Sequence, residues 1–528
     1  MSVLELTSNN AAGWIPAMRT VCFESRQIVA YLPPVVLLVL LSTTVLRAQS
    51  NSPLNRPPVP PVGSPQPVAG MGIMAGSVSH DSALVQVRLS AGEKLVEGDL
   101  PGAWGVVEFT LSSAGSEQTL LARSFPQRDF IARVRFQQLT PNTDYVCKTR
   151  LGRDLKHLSE GPSLTFKTLP GSEIAEDVSF AVVTGMNYAK FHGDGRINRA
   201  RSAVKNNTKL PPPYAGADKE LGYPALATIL KIKPDFFIGT GDNVYYDTPD
   251  DPRAVTVTQM RQKWHEQFVQ PRFRELFAKV PTHWMVDDHD YRVDDGDNSG
   301  EFLPLPETGR QILLEQLPYA AHEQPAARTY RTYRVSKNLQ IWFTENRLHR
   351  SPNAIPDGPQ KTVWGKEQKA WLKKTLKDSD AKFKLLISPT PMVGPDDLRK
   401  TDNHCDVGGF QHERDEFFRF LKENGINQQN FFIVCGDRHW QYHAVDSTGV
   451  EEFSCGALVD ANSRLGRMPG DPAGTDPDGL IQHLHRQTER SGGFLLIRCD
   501  AVSQSGDAAL SFEFYDERGK LLYQTTKR

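Results

Sequence analysis

The chain has 528 residues, with 61 Lys+Arg against 62 Asp+Glu, a net charge of −1 and 39% hydrophobic residues. That length exceeds one compact core and predicts two or more units. The even charge, with no basic run, speaks against a dedicated nucleic-acid surface, so long nucleic acid is not an expected partner and binding has to be argued from local sites.

Near the N-terminus, VVLLVLLSTTVL (Val35 to Leu46) is an apolar run preceded by Arg26 and followed by Arg47. It is too short for a stable membrane span and fits the hydrophobic region of a signal peptide. Residues 1–48 are therefore expected to be a signal peptide, which makes the protein secreted, periplasmic or held at the cell envelope. Residues 49–72 are rich in Pro, Gly and Ser and predict an extended, unpacked linker. Cys147, Cys405, Cys435, Cys455 and Cys499 follow with no CxxC spacing, which argues against a thiolate metal cluster.

From Ser77 the texture changes. ALVQVRLS, WGVVEFTLSS, QTLLARSF and FIARVRFQQL alternate apolar and polar residues at period two between Gly, Ser and Pro turns, the pattern of half-buried antiparallel strands. LTPNTDYVCKTRL then sets Leu139, Pro141, Thr143 and Tyr145 as in the tyrosine corner of a sandwich. The expectation is an all-β fibronectin-III or immunoglobulin-like sandwich over residues 73–170, without chemistry of its own.

From Val178 apolar strands alternate with helical stretches: VSFAVVTG, YPALATILKI, DFFIGTG, the amphipathic VTQMRQKWHEQFVQPRFRELFA, THWMVDD, LQIWFTENR, KEQKAWLKKTLK, FKLLISPTP, RDEFFRFLKENG and NFFIVCGDRH. This alternation predicts a layered α/β unit over residues 175–528 with strands buried on both faces. The end, GGFLLIRCDAV and AALSFEFYDERGKLLYQTT, reads as antiparallel strands.

Three of these strands stop on ligand-type residues. FFIGTGDNVYYD offers Asp242, Asn243, Tyr245 and Tyr246; HWMVDDHDYRVDD offers Asp287, Asp288, His289, Asp290 and Asp294; FFIVCGDRHWQYH offers Asp437, His439 and His443. Taken singly, a Gly-Asp after a strand is a turn or a helix cap. Three such ends in one layered unit converge, because sites in these folds form at the carboxyl ends of strands. Carboxylates, imidazoles, an amide and phenols suit hard cations better than soft ones.

The combination of Gly241-Asp242, Asp287-Asp288-His289-Asp290 and Gly436-Asp437-Arg438-His439, with Tyr245 three residues after the first aspartate, resembles the PhoD-like phosphatases (alkaline phosphatase D) of the metallophosphoesterase superfamily. Thr344 to Arg350 at the end of a further strand, then Gly365, Gln368, Trp371 and Leu372, match the same pattern. The resemblance implies a four-layer metallophosphoesterase sandwich, two β-sheets flanked by helices, behind the β-sandwich. It implies a metal-dependent hydrolase of small-molecule phosphomonoesters or phosphodiesters using Ca2+ and Fe3+. Asp242 would be the bridging ligand, Asn243, Tyr245, Asp288, Asp437 and His439 further metal ligands, His289 the transition-state stabiliser or leaving-group acid, and Arg347, with Arg350, the phosphate contact. One departure is Gly185, which stands where the family carries an iron-binding Cys; Asn187 and Tyr188 are the nearby substitutes. The alternative implied by that departure is a catalytically silent secreted protein with a decayed metal site. Oligomeric state is not legible.

Overall fold

A computed structural model describes residues 63–198, 210–319, 328–426, 431–502 and 506–528. The expected signal peptide and the start of the expected linker lie outside the described residues.

Strands β1 (Ile73–Gly76), β2 (Ser82–Arg88), β3 (Gly105–Ser113), β4 (Ser116–Ser124), β5 (Ile131–Gln137), β6 (Asp144–Gly152) and β7 (Ser159–Lys167) enclose a core of their own. Period-two patterning builds it: along β6, Tyr145, Cys147 and Leu151 point inward while Asp144, Lys148 and Arg150 face water. The Tyr145 hydroxyl accepts a hydrogen bond from the Thr140 backbone N–H at 2.9 Å, closing the tyrosine corner. The order β4-β3-β6-β7 forms one sheet, opposed by β1, β2 and β5. Two expectations change here. Residues 66–72 are packed rather than free, since Val68 exchanges both backbone hydrogen bonds with Ser90 at 2.9 and 2.8 Å. The β1-β2-β5 strands are also not a separate sheet.

They extend the larger sheet of the following unit, because β1 pairs in parallel with β10 (Thr282–Trp284) at Gly76 and Thr282. A Cβ at Gly76 would meet Pro318 at 2.2 Å, so the close approach requires glycine. That nine-stranded sheet also contains β8 (Val178–Val183), β9 (Phe236–Gly239), β18 (Gly493–Asp500), β19 (Ala509–Asp516) and β20 (Leu521–Lys527), in the order β20-β19-β18-β8-β9-β10-β1-β2-β5. A second sheet comprises β11 (Arg331–Arg334), β12 (Leu339–Phe343), β13 (Phe383–Ser388), β14 (Phe431–Cys435), β15 (Gln441–Val445), β16 (Glu451–Cys455) and β17 (Gln482–Arg486). Its order is β11-β12-β13-β14-β16-β15-β17.

The two sheets share one apolar layer that includes Phe180, Ile238, Ile341, Leu385, Val434, Phe453 and Phe512. Helices cover the outer faces. The short α1 (Tyr188–His192) follows β8. On the nine-stranded side, α2 (Pro224–Ile232), α3 (Val257–Phe268), α4 (Pro271–Phe277) and α5 (Pro306–Gln316) bury Leu226, Trp264, Phe273 and Ile312. On the other, α6 (Gly365–Asp378) and α7 (Gln411–Glu423) bury Leu372 and Phe417. The result is the four-layer arrangement of helices, sheet, sheet and helices. The long amphipathic stretch over 257–278 is two helices rather than one, because Pro271 lacks the N–H that would continue α3 and instead opens α4. No helix among the described residues is long and apolar enough to cross a membrane.

Strands β8, β9 and β10 are mutually parallel, as are β12, β13, β14 and β16. An isolated bridge between Thr184 and Ala457 links the two sheets just past the ends of β8 and β16. The carboxyl ends of both parallel sets therefore open on one edge of the sandwich, where the ligand-type residues gather.

Candidate metal centre

Each strand end turns sharply. After β8 the chain passes through Gly185 (φ 68°), after β9 through Gly241 (φ 112°) and Asp242 (φ 54°), and after β14 through Asp437 (φ 58°). A left-handed backbone at a non-glycine costs about 1 kcal/mol or more, and here it aims two carboxylates into the same cleft.

Asp242 lies at the middle. The Tyr245 hydroxyl donates to Asp242 Oδ2 at 2.7 Å, and His439 Nε2 stands 2.8 Å from the same oxygen and 3.2 Å from the Tyr245 hydroxyl. Asp288 and His289 bring ligand atoms within 4.8 Å of Asp242, and Asp287, Asp288 and Asp437 form a second such group. Asp242, Tyr245, Asp288, Asp437 and His439 thus converge from three loops, as the sequence motifs imply, and all are nearly inaccessible to water.

The electrostatics fit cations. Burial, together with Asp288, Asp290 and Asp437, pushes Asp242 well above the ordinary carboxylate range, against the pull of His289. Its Oδ1 is buried with no hydrogen-bond partner, and so is Oδ2 of Asp287. Mutually repelling buried carboxylates with orphaned oxygens are costly unless a positive ion sits among them. Burial lowers His439 well below the usual imidazole range, assisted by Arg464, Lys190 and His289, which leaves it the neutral base that a ligand must be.

His289 behaves oppositely. Burial alone would lower it, yet Asp247, Asp288 and Asp242 hold it well above the usual range. Its Nδ1 lies 2.8 Å from both oxygens of Asp247, and its ring lies against Tyr245 with centroids 4.3 Å apart. An imidazolium so anchored at Nδ1 carries its second proton on Nε2, which stands 3.6 Å from the exposed carboxylate of Asp294.

Other expectations change. Asn243 joins no ligand group: its amide donates to the Met285 carbonyl at 2.9 Å and to Asp290 Oδ2 at 2.5 Å. Asp290 Oδ1 in turn accepts the Asp287 N–H at 2.7 Å, so Asn243 and Asp290 clip two strand-end loops together. Arg347 is fully buried and ion-paired with Asp287 at 2.6 Å and Asp402 at 3.4 Å. Arg350 is held by the Asn346 carbonyl at 3.3 Å, by Asn353 at 2.9 Å and by the Asp402 carbonyl. The Arg347 guanidinium supports the carboxylates from behind, Arg350 binds carbonyl and amide oxygens, and both are buried rather than presented to a phosphate. His443 pairs with Glu451 at 2.7 Å and with Tyr523 inside the sheet, and Asn187 caps α1. Gly185 adds no side chain; a Cβ there would meet Ala457 at 2.9 Å and His439 Cδ2 at 3.2 Å.

The role of Arg347 is testable. Arg347→Met leaves Asp287 buried without its counter-charge and is expected to destabilise the fold by about 3–5 kcal/mol, read by denaturant melting. A variant of unchanged stability whose only defect is a raised KM would restore Arg347 as a phosphate contact.

Sequence reasoning missed Asp247, although it closes the same stretch as Asp242, because its role depends on a fold-back onto His289. It also missed Lys190, Asn462 and Arg464. Asn462 donates to the Tyr245 hydroxyl at 2.8 Å and to the Gly185 carbonyl at 3.0 Å, while its Oδ1 accepts from Lys190 Nζ at 2.7 Å. No strand-end motif marks these positions.

The comparisons agree with this arrangement. The family model described as PhoD-like phosphatase matches residues 213–483, just over half of the chain. A solved structure of PhoD superposes with a TM-score of 0.63 at 17% identity, covering 89% of this chain and 94% of that one. The purple acid phosphatase PPD1 from yellow lupin (Lupinus luteus) seeds superposes at 0.56 and 11% identity, covering 88% and 75%. At such identities these likenesses show the fold alone. No curated protein sequence matches. Fold, strand-end motifs and family match together make this chain a member of the PhoD-like phosphatase family.

Proposed function

We propose that the protein hydrolyses small-molecule phosphoesters, monoesters or diesters, at a metal centre built on Asp242. The observation that carries this reading is the buried, partly unpartnered carboxylate group of Asp242, Asp287, Asp288 and Asp437 beside neutral His439, cationic His289 and the phenol of Tyr245. Asp242 is proposed as the shared ligand, Tyr245 and His439 as ligands on one side, and Asp288 and Asp437 as ligands on the other. The all-oxygen and imidazole donor set suits Ca2+ or another hard divalent ion, and Tyr245 suits Fe3+. Gly185 brings no thiolate to that second ion. Cations held there supply a bound water of lowered pKa and neutralise charge on the phosphoryl oxygens.

The chain's own residues do the rest. Asp247 fixes the His289 ring through Nδ1, so the Nε2–H can be given to the departing ester oxygen. Asn462 holds the Tyr245 hydroxyl at 2.8 Å and thereby its orientation toward Asp242. Arg347 holds Asp287 in place. The apolar run at Val35 to Leu46 supports export, so a secreted or envelope location is part of the proposal.

The test is hydrolysis of para-nitrophenyl phosphate and bis-para-nitrophenyl phosphate, with and without a chelator. Turnover that chelation abolishes and added metal restores is expected, and the ratio of the two rates assigns the ester class. Turnover indifferent to chelation would sink the metal reading; none with either ester in metal-loaded protein would favour the silent protein.

A further inference from the structure

Charged side chains around the centre are almost all matched. Arg347 pairs with Asp287, Arg438 with Asp396, and Lys400 with Asp295 at 2.9 Å. Lys190 and Arg464 break this pattern. Neither has a carboxylate within ion-pair distance among the described residues. The single hydrogen bond of Lys190 Nζ goes to the neutral amide of Asn462 at 2.7 Å. Arg464 reaches only the Asp437 carbonyl, at 3.4 Å from Nη2, and its Nε is buried without a partner. Both side chains are half-buried, neither fully exposed nor enclosed.

Their placement is specific. Arg464 follows Asn462 by two residues, and its backbone N–H donates to the His439 carbonyl at 2.9 Å, so it is tied to one proposed ligand. Lys190 lies 5.9 Å above the ring of Tyr245, another proposed ligand. Burial and then Arg464 lower the Lys190 ammonium to about 8, so the two positive groups feel each other. Two like charges brought together at low dielectric without counter-ions are unfavourable until an anion lies between them. The carboxylates that face them from the cleft, Asp242, Asp247 and Asp294, would be engaged by metal ions or by His289 in the working enzyme, which leaves the pair's attraction for an incoming anion.

We propose that Lys190 and Arg464 form the anion-binding arm of the site and receive phosphoryl oxygens of substrate and product, the task that sequence reasoning gave to Arg347 and Arg350. The proposal rests on the phosphoesterase reading above, and it concerns residues outside the strand-end motifs; Lys190 also precedes the span matched by the family model. Lys190 and Arg464 sit on the Tyr245 and His439 side of Asp242, and the His289 ring lies against the same Tyr245, with centroids 4.3 Å apart. A phosphoryl group at the centre would meet these two cations together with the proton donor His289, so that charge is neutralised where the ester bond breaks.

The experiment is calorimetric titration of inorganic phosphate into metal-loaded wild type, Lys190→Met, Arg464→Met and the conservative Lys190→Arg and Arg464→Lys, with metal content measured on each sample. Loss of a charge-assisted contact is expected to weaken phosphate binding by about tenfold in each Met variant, with metal content unchanged and partial rescue in the conservative variants. Wild-type phosphate affinity in both Met variants overturns the proposal, as does weakening that merely tracks lost metal, and so does a wild type that binds no phosphate. Turnover measured in parallel separates the two ideas: phosphate binding that depends on Lys190 and Arg464 in a protein that hydrolyses no ester would sustain this inference while refuting the phosphoesterase reading.

Discussion

Replacing Asp242 by Asn is expected to reduce kcat/KM by on the order of 10³-fold or more, about 4 kcal/mol of transition-state stabilisation, while the chain stays folded. The reason lies in the position of this carboxylate. Its Oδ2 meets both Tyr245 and His439, and it also belongs with Asp288 and His289. An amide keeps the shape but removes the charge that would hold a cation. Stability moves the other way. The folded-state affinity of Asp242 for a proton is raised above its unfolded value by burial and by Asp288, Asp290 and Asp437. A group so raised stabilises below the unfolded pKa, near 3.8, and loses that contribution as pH climbs through its folded value. Metal-free wild type is therefore expected to melt lower as pH rises toward neutrality, and metal-free Asp242→Asn to lose less over the same range. A variant that keeps wild-type turnover, or that unfolds at neutral pH, contradicts the assignment.

The second large effect lies far from the strand ends. His265, on α3, places Nδ1 2.5 Å from Asp99 and Nε2 2.7 Å from Asp129, both from the N-terminal sandwich. An imidazole satisfies carboxylates at both nitrogens only as the protonated form. Arg88 bonds the two Asp129 oxygens at 3.0 and 3.1 Å, and Gln316 of α5 donates to Asp129 at 2.7 Å. This network, buried at His265, Arg88, Asp129 and Gln316 and reaching solvent at Asp99, fastens the sandwich to the helices of the larger unit. Against the cost of burial, His265 and Arg88 hold Asp129 well below the carboxylate range, and Asp99 is lowered with it. A depressed carboxylate stabilises above its unfolded pKa and loses that contribution as pH falls through its folded value, so the fastening weakens from about pH 4 downward. His265→Ala is expected to cost about 3–5 kcal/mol, read by denaturant or thermal unfolding. Turnover per folded molecule should survive, since His265 touches no residue of the metal centre. Unchanged melting would mean that the network is not what holds the two parts.

Much of the centre was legible because its signal is local. An apolar run followed by Gly-Asp marks β9, another followed by Gly-Asp-Arg-His marks β14, and parallel pairing brings their ends together whatever the loops do. Tyr145 and its corner were legible for the same reason. What escaped depends on partners distant in sequence. Asn243 reads as a ligand beside Asp242, yet the carbonyl of Met285 and the carboxylate of Asp290 claim its amide once the loops fold. Arg347 reads as a phosphate fork until Asp287, buried with no other cation so close, is seen to take it. The split of α3 from α4 at Pro271 was written in the sequence but overridden by the amphipathic pattern on either side. The merging of β1, β2 and β5 with the nine-stranded sheet has no sequence mark beyond Gly76, and His265 carries none of its meaning until Asp99 and Asp129 are placed beside it.

The most direct measurement of the central claim is elemental analysis of purified wild type and Asp242→Asn, each dialysed against metal-free buffer. The account predicts stoichiometric tightly held metal in the wild type and its loss in the variant. A wild type that carries no metal, or a variant that retains the full complement, would contradict a metal centre built on Asp242.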